Sequence, residues 1–135
     1  MYPIEDYEQV YSFLPYFEEL SNNRKNSTKN TKPFFIQQEM MYIEYSEEME
    51  QFAKSIYSSN LIDRDYAETL NEYGISDDRD METNLDRADK KLLRAMLTQM
   101  LRTERFVSGA WICYEEKGMF LKALRRLGIL YRYSS

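Results

Sequence analysis

Apolar residues recur at helical spacing along most of the chain. Ile4, Val10, Phe13, Leu14, Phe17 and Leu20 fall on one face and predict a helix over 4–20. Pro15 lies inside that pattern, so it should kink the helix or end one helix and open the next at its first turn. The stretch SNNRKNSTKNTKP at 21–33 is polar and basic; it predicts a flexible loop and lacks a Gly-rich phosphate pattern. Phe34, Phe35 and Ile36 then form an apolar run. Met41, Ile43 and Tyr45 alternate with Tyr42 and Glu44, which predicts a short strand or hairpin. Ser46 is placed as an N-cap, with Glu47 and Glu48 in the first turn, where a helix dipole favours acids. Met49, Phe52, Ala53, Ile56 and Tyr57 then give a helical face to about residue 58.

Asp63 or Asp65 could cap a short helix with Tyr66, Leu70 and Tyr73 inward and Gly74 as its stop. Residues 76–84 read as an acidic loop. The longest predicted helix is 85–106, with Leu85, Ala88, Leu92, Leu93, Met96, Met100 and Phe106 on one broad face. Arg87, Lys91, Arg94, Arg102 and Arg105 line the opposite face. Gly109 should break this helix, a short helix should run from Ala110 to Gly118, and a last one should carry Phe120, Leu121, Leu124 and Leu127 to a stop at Gly128. Residues 129–133 read as extended and able to pair with the strand near 41–45. The predicted fold is mainly α with a minor β part: a compact multi-helix single domain with a small β-hairpin or short sheet. Its core is assigned to Phe13, Phe17, Phe52, Ile56, Leu92, Leu93, Met96, Met100, Phe106, Trp111, Leu124 and Leu127.

A chain of 135 residues has one domain's worth of sequence and can fold without staples. Its one cysteine, Cys113, excludes an internal disulfide, and a free thiol agrees with a cytoplasmic location. The absence of histidine removes histidine-dependent nucleophile systems, histidine bases and histidine-ligated zinc. The acidic start at Glu5, Asp6 and Glu8 does not resemble a signal peptide, and no window reaches the about 18 apolar residues of a membrane span.

The net charge of −5 conceals two unlike parts. Residues 1–82 hold 18 acids and 7 bases, whereas residues 83–135 hold 5 acids and 11 bases. The two parts could meet and pair their rims, or the acidic part could face a partner. The candidate acidic face is Glu44, Glu47, Glu48, Glu50, Asp63, Asp65 and Tyr66. A second candidate, for an anion or small ligand, is Arg102, Glu104, Arg105 and Trp111, because an arginine fork matches carboxylate and phosphate. The alternative for these arginines is structural, at a helix end. The stripe Arg87, Lys91, Arg94 with Arg102 and Arg105 could follow a phosphate backbone. A pI near 4.9, against values above about 9 for basic nucleic-acid-binding domains, argues for a solvated face instead.

No metal or cofactor is predicted. Asp77, Asp78 and Asp80 lack the glycine and terminal glutamate of a calcium loop, and Glu115-Glu116-Lys117 matches a nuclease motif by letter only. Cys113 is assigned to the apolar side of its helix beside Trp111, as an inert thiol. Twelve tyrosines exceed what a core of this size needs, so some should be exposed and suited to contact surfaces.

The segment LLRAMLTQMLRTERFVSGAWICYEEKGMFLKALRRL at 92–127 combines Leu97-Thr98, Arg102, Glu104-Arg105-Phe106, Gly109, Gly118 and Leu124-Arg125-Arg126-Leu127. In these residues it resembles a bacterial domain-of-unknown-function family of the DUF6508 kind, and FLPYFEEL at 13–20 is similar to that family's opening. The chain departs from it in the middle, with Tyr66 and Tyr73 where tryptophans are frequent. The resemblance implies no activity; it singles out Arg102, Glu104, Arg105 and Phe106.

Three function classes follow. The first is a non-catalytic interaction or regulatory protein of bacterial or phage origin, docking its acidic face on a basic protein. Its most concrete form is an acidic inhibitor of a nucleic-acid-binding protein, of anti-CRISPR or anti-defence type. The second is a small-ligand protein or an enzyme centred on Arg102, Glu104 and Arg105, and the third is nucleic-acid binding through the Arg87–Arg105 stripe. The first is the reading adopted: a protein partner, no membrane, and a dimer as a possible assembly.

Overall fold

Pro15 separates two helices rather than bending one. α1 (Ile4–Tyr11) ends where Ser12 turns back on it, its hydroxyl donating to the Gln9 carbonyl at 2.6 Å. α2 (Leu14–Asn26) then carries Pro15 in its first turn, where a missing N–H breaks no helical bond. The chain is seen in a computed structural model that describes residues 4–26, 33–37 and 42–132. Of the stretch 21–33, expected to be a flexible loop, Ser21 to Asn26 are helical, and 27–32 lie outside the described residues. The added turn is held by Arg24, which forms an ion pair with the Glu115 carboxylate and donates to the Glu115 carbonyl at 3.3 Å.

The predicted hairpin is present. β1 (Phe35–Gln37) and β2 (Ile43–Tyr45) pair antiparallel, with Phe35 opposite Tyr45 and Ile36 opposite Glu44. Alternation sends Tyr45 inward, while Ile36 and Glu44 face out. α3 (Glu47–Tyr57) follows at once, capped by Ser46, whose hydroxyl accepts from the Met49 N–H at 3.1 Å and pairs with the Tyr16 hydroxyl at 2.7 Å. Phe17 of α2 and Phe52 of α3 meet edge to face at 4.9 Å, and Phe120 closes the trio at 5.5 and 5.6 Å.

α4 (Tyr66–Glu72) ends at Gly74, whose φ of +75° is the left-handed stop read from the sequence. The supposed acidic loop is largely α5 (Asp78–Asn84), started by the Asp77 carboxylate accepting from the Asp80 N–H at 2.8 Å. A 3-10 turn over Leu85–Arg87 and extended backbone at Ala88 separate it from α6 (Lys90–Thr103). The predicted helix 85–106 is thus shorter at both ends, because the Asp89 carboxylate caps a new start by accepting from the Leu92 N–H at 2.8 Å. α6 is buried on more than one side: Ala95, Leu97 and Leu101 join the expected Leu92, Leu93, Met96 and Met100.

α7 (Ala110–Glu116) starts after Gly109 and stops at Gly118, as expected. α8 (Met119–Arg132) runs straight through Gly128. The tail expected to be extended over 129–133 is helix as far as Arg132, Tyr133 lies outside the described residues, and no described residue of the tail pairs with β2. Gly128 is a contact point instead of a stop: a Cβ there would lie 2.5 Å from Cε1 of Tyr11. Tyr7 stacks on Tyr131 at 5.3 Å, and Lys90 and Arg132 cover the Tyr131 and Tyr11 rings. Two core assignments change. Phe13 is only half-buried against the core, and Phe106 is 83% exposed. Among the described residues no helix is long and apolar enough to cross a membrane.

In urea titrations, Gly128→Val should lower stability by about 1–3 kcal/mol through overpacking against Tyr11. In a Tyr11→Ala background Gly128→Ala should instead raise it by about 0.5–1 kcal/mol, the ordinary gain of a helical alanine over glycine.

Candidate functional site

Glu104 stands at the end of α6, where the last turn opens into the chain leading to α7. Its carboxylate accepts three hydrogen bonds: from the Tyr45 hydroxyl at 2.7 Å, the Gly109 N–H at 2.9 Å and the Trp111 N–H at 2.9 Å. The two amides belong to the start of α7, whose first N–H groups have no helical acceptor. Gly109 holds φ at +89°, which turns its N–H toward the carboxylate without the strain of a side chain. Trp111 is buried, donates its indole N–H to the Leu101 carbonyl at 3.2 Å and lies 4.8 Å from the Tyr45 ring.

This geometry divides the predicted anion site. Glu104 and Trp111 are parts of a joint between α6, α7 and β2. Arg102 lies over the Tyr66 ring at 5.5 Å and Arg105 over the Tyr57 ring at 5.6 Å. Glu104 and Trp111 meet through the Trp111 N–H, whereas the two arginines each face a tyrosine ring of the protein. A cleft of about 450 Å³ lies elsewhere, between α2 and the α7–α8 turn, and none of the four lines it.

The basic stripe is divided by the same helix ends. Arg87 sits in the 3-10 turn and donates to Asn84 at 3.1 Å. Lys91 pairs with Glu72 at 3.1 Å, and half-buried Arg94 donates to the Ile62 carbonyl at 3.2 Å. Arg105 lies beyond the last residue of α6. Of the cations that looked like one solvated face, Lys91, Arg94 and Arg102 hold α4 and the segment before it onto α6. Tyr73 adds a bond from its hydroxyl to Asp89 at 2.7 Å.

The acidic candidates fall into two groups. Glu44 on β2 and Glu47 and Glu50 on α3 are exposed, and Glu48 is half-buried. Asp63 is structural: its carboxylate accepts from the Asp65 N–H at 2.9 Å and the Thr69 hydroxyl at 3.0 Å. Asp65 is exposed, and Tyr66 lies half-buried under Arg102. Asp77, Asp78 and Asp80 are also engaged, Asp78 by the Tyr114 hydroxyl at 3.0 Å. Asp80 accepts from the backbone and side chain of Ser76, which hold its carboxyl below the ordinary range. Among the described residues no three acidic or cysteine side chains converge to hold a metal. Cys113 is exposed, contrary to its assignment beside Trp111, because α7 turns it away from the core.

Sequence reasoning missed the turn 104–109. Phe106 and Val107 are exposed there, with Arg105 over Tyr57 on one side and Gly109 against Ile43 on the other. Ile36 and Tyr42 on the outer side of the hairpin are exposed as well. The signal that could have found the turn is Thr103, whose hydroxyl returns to the Gln99 carbonyl at 2.6 Å in the last turn of α6.

The family model described as "Family of unknown function (DUF6508)" matches residues 2–132, and the chain belongs to that family. No curated protein and no solved structure matches the chain.

Two outcomes test the joint. Glu104→Ala strands buried donors and should lower stability by about 3 kcal/mol, with the fluorescence of Trp111 reporting the loosened joint. The second concerns pH. Tyr45 is held well above its ordinary value of 10.0, first by burial and next by its bond to Glu104, and burial pushes Tyr114 up to about 12. Above pH 10.0 the unfolded chain releases these protons while the folded chain keeps them, so stability should fall as pH rises from there. Tyr45→Phe should flatten that fall by about 1.4 kcal/mol per pH unit in denaturant titrations.

Proposed function

We propose that this member of a family of unknown function is a non-catalytic interaction protein. Its contact surface is the turn carrying Phe106 and Val107 together with the acids Glu44, Glu47 and Glu50. The observation that carries the proposal is Phe106: at 83% it is the most exposed large apolar side chain among the described residues. Large apolar side chains left in water beside polar groups have the composition of an interface centre and its rim. The turn is positioned by Glu104 and Gly109, so its side chains are presented by an ordered support.

The partner is a protein with a basic surface and an apolar recess. Its basic groups would meet carboxylates at Glu44, Glu47 and Glu50, as they would meet phosphates. In its most specific form the protein is an acidic inhibitor of a nucleic-acid-binding protein, of anti-CRISPR or anti-defence type, acting in the cytoplasm of a bacterium. The engagement of Glu104, Trp111 and Arg94 in the fold supports a binding role over catalysis at the arginine cluster.

The test is capture from nuclease-treated bacterial lysate by three baits: the protein, its Glu44→Lys/Glu47→Lys/Glu50→Lys variant and its Phe106→Asp variant. A basic protein held by the first and lost by both variants is the expected result, with retention weakening as salt shortens the screening length to about 3 Å near 1 M. Identical capture by all three baits overturns the proposal. The Phe106→Asp change should leave stability within about 0.5 kcal/mol, since the ring packs on little.

A further inference from the structure

The cleft between α2 and the α7–α8 turn has a charge opposite to that of the whole chain. Arg24, Lys25, Lys117, Lys122 and Arg125 line it, against the acids Glu18 and Glu116. The chain carries a net −5, so a concentration of cations around one concavity is a local departure from its composition. Two of the five are engaged: Arg24 by Glu115, and Arg125 by Glu18 at 3.5 Å. Lys25, Lys117 and Lys122 have no ion pair among the described residues.

These three lysines come from different places. Lys25 is in the last turn of α2, Lys117 follows α7, and Lys122 is one turn into α8. Their convergence is therefore a product of packing and is invisible as a sequence motif. Gly118, with φ at +73°, reverses the chain between Lys117 and α8 and itself lines the cleft. The first turn of the 14-residue α8 thus adds the positive end of its dipole to the lysines. Leu121 supplies an apolar patch, and Ser21 and Asn22 supply neutral polar groups on the opposite wall. A volume of about 450 Å³ is of the size that small-molecule sites occupy.

We propose that this cleft binds a small phosphate-bearing anion, of the class of nucleoside polyphosphates, with Lys25, Lys117 and Lys122 as its phosphate contacts. Both arginines already face carboxylates of the chain, Arg24 that of Glu115 and Arg125 that of Glu18. Three separate ammonium groups instead suit a chain of phosphates, each neutralising part of its charge. The site lies outside the Phe106 surface and stands independently of the interaction proposal.

The experiment is titration of the full chain at low ionic strength with inorganic pyrophosphate, ATP and a short single-stranded oligonucleotide, read by calorimetry and by backbone amide resonances. ATP and pyrophosphate should bind, ATP more tightly, and should shift the amides of residues 118–122. Lys117→Glu/Lys122→Glu should weaken ATP binding about tenfold or more. Lys54→Glu/Arg64→Glu, which changes charge equally at exposed positions outside the cleft, should leave binding within about twofold. Lys25→Glu, on another helix, repeats the test should the first variant fail to fold. Equal weakening by cleft and control variants overturns the proposal. So does binding of the oligonucleotide alone, or no shift at 118–122 at millimolar ATP.

Discussion

The carboxylate of Glu104 joins three parts of this protein that share no continuous secondary structure. α6 ends at it, α7 starts on it through the amides of Gly109 and Trp111, and the hairpin reaches it through the Tyr45 hydroxyl. A two-stranded hairpin is marginal by itself in water. Here its inner face lies on Trp111 and its last residue is bonded to a charge, so its position follows from that of α6. The same anchoring leaves Phe106 and Val107 outside. With Glu104 and Gly109 both fixed by the carboxylate, the intervening residues must bridge them on the surface. One half-buried acceptor thus determines the hairpin, the start of α7 and the presented turn.

The charge asymmetry of the chain has two physical outcomes. Part of it is internal: Lys91 with Glu72 and Arg125 with Glu18 bring bases of the C-terminal part to acids of the N-terminal part. Exposed pairs of this kind add little to stability. The arginines of α6 do more through their contacts with rings and carbonyls than through carboxylates. Tyr66 receives Arg102 and Tyr73 orients the Asp89 cap of α6, while Tyr57 receives Arg105 just past the helix end. The remainder of the asymmetry stays outside, as exposed acids on α3 and as lysines around the α8 start.

The legible parts of the fold were those set by short-range chemistry. Ser46 as a cap, the hairpin alternation, the stops at Gly74 and Gly118 and the break at Gly109 each depend on one or a few neighbouring residues. Pro15 was read to its two permitted outcomes, and packing chose the second. The errors share a cause. Gly128 was read as a stop because glycine ends helices, yet here the bare backbone accommodates the Tyr11 ring. Phe106 was placed in the core because it continues an apolar face, yet the helix had already ended at Thr103. The polar start of the 21–33 stretch became helical through the distant contact of Arg24 with Glu115, and the acidic 76–84 stretch through a local cap at Asp77 that its acidic composition hides.

By itself the sequence determined the mainly helical class, the small hairpin, most of the core and the family, because helical period, capping and glycine stops act within a few residues. Only the tertiary structure decided which charges and aromatics are available. Arg102, Glu104 and Trp111 form a motif in the chain and became internal parts, since buried donors and rings must find partners wherever the fold brings them. Lys25, Lys117 and Lys122 form no motif, yet α2, α7 and α8 pack so that they border one cleft. Proximity in space, which periodicity cannot carry, is what separates a structural charge from one that remains able to bind.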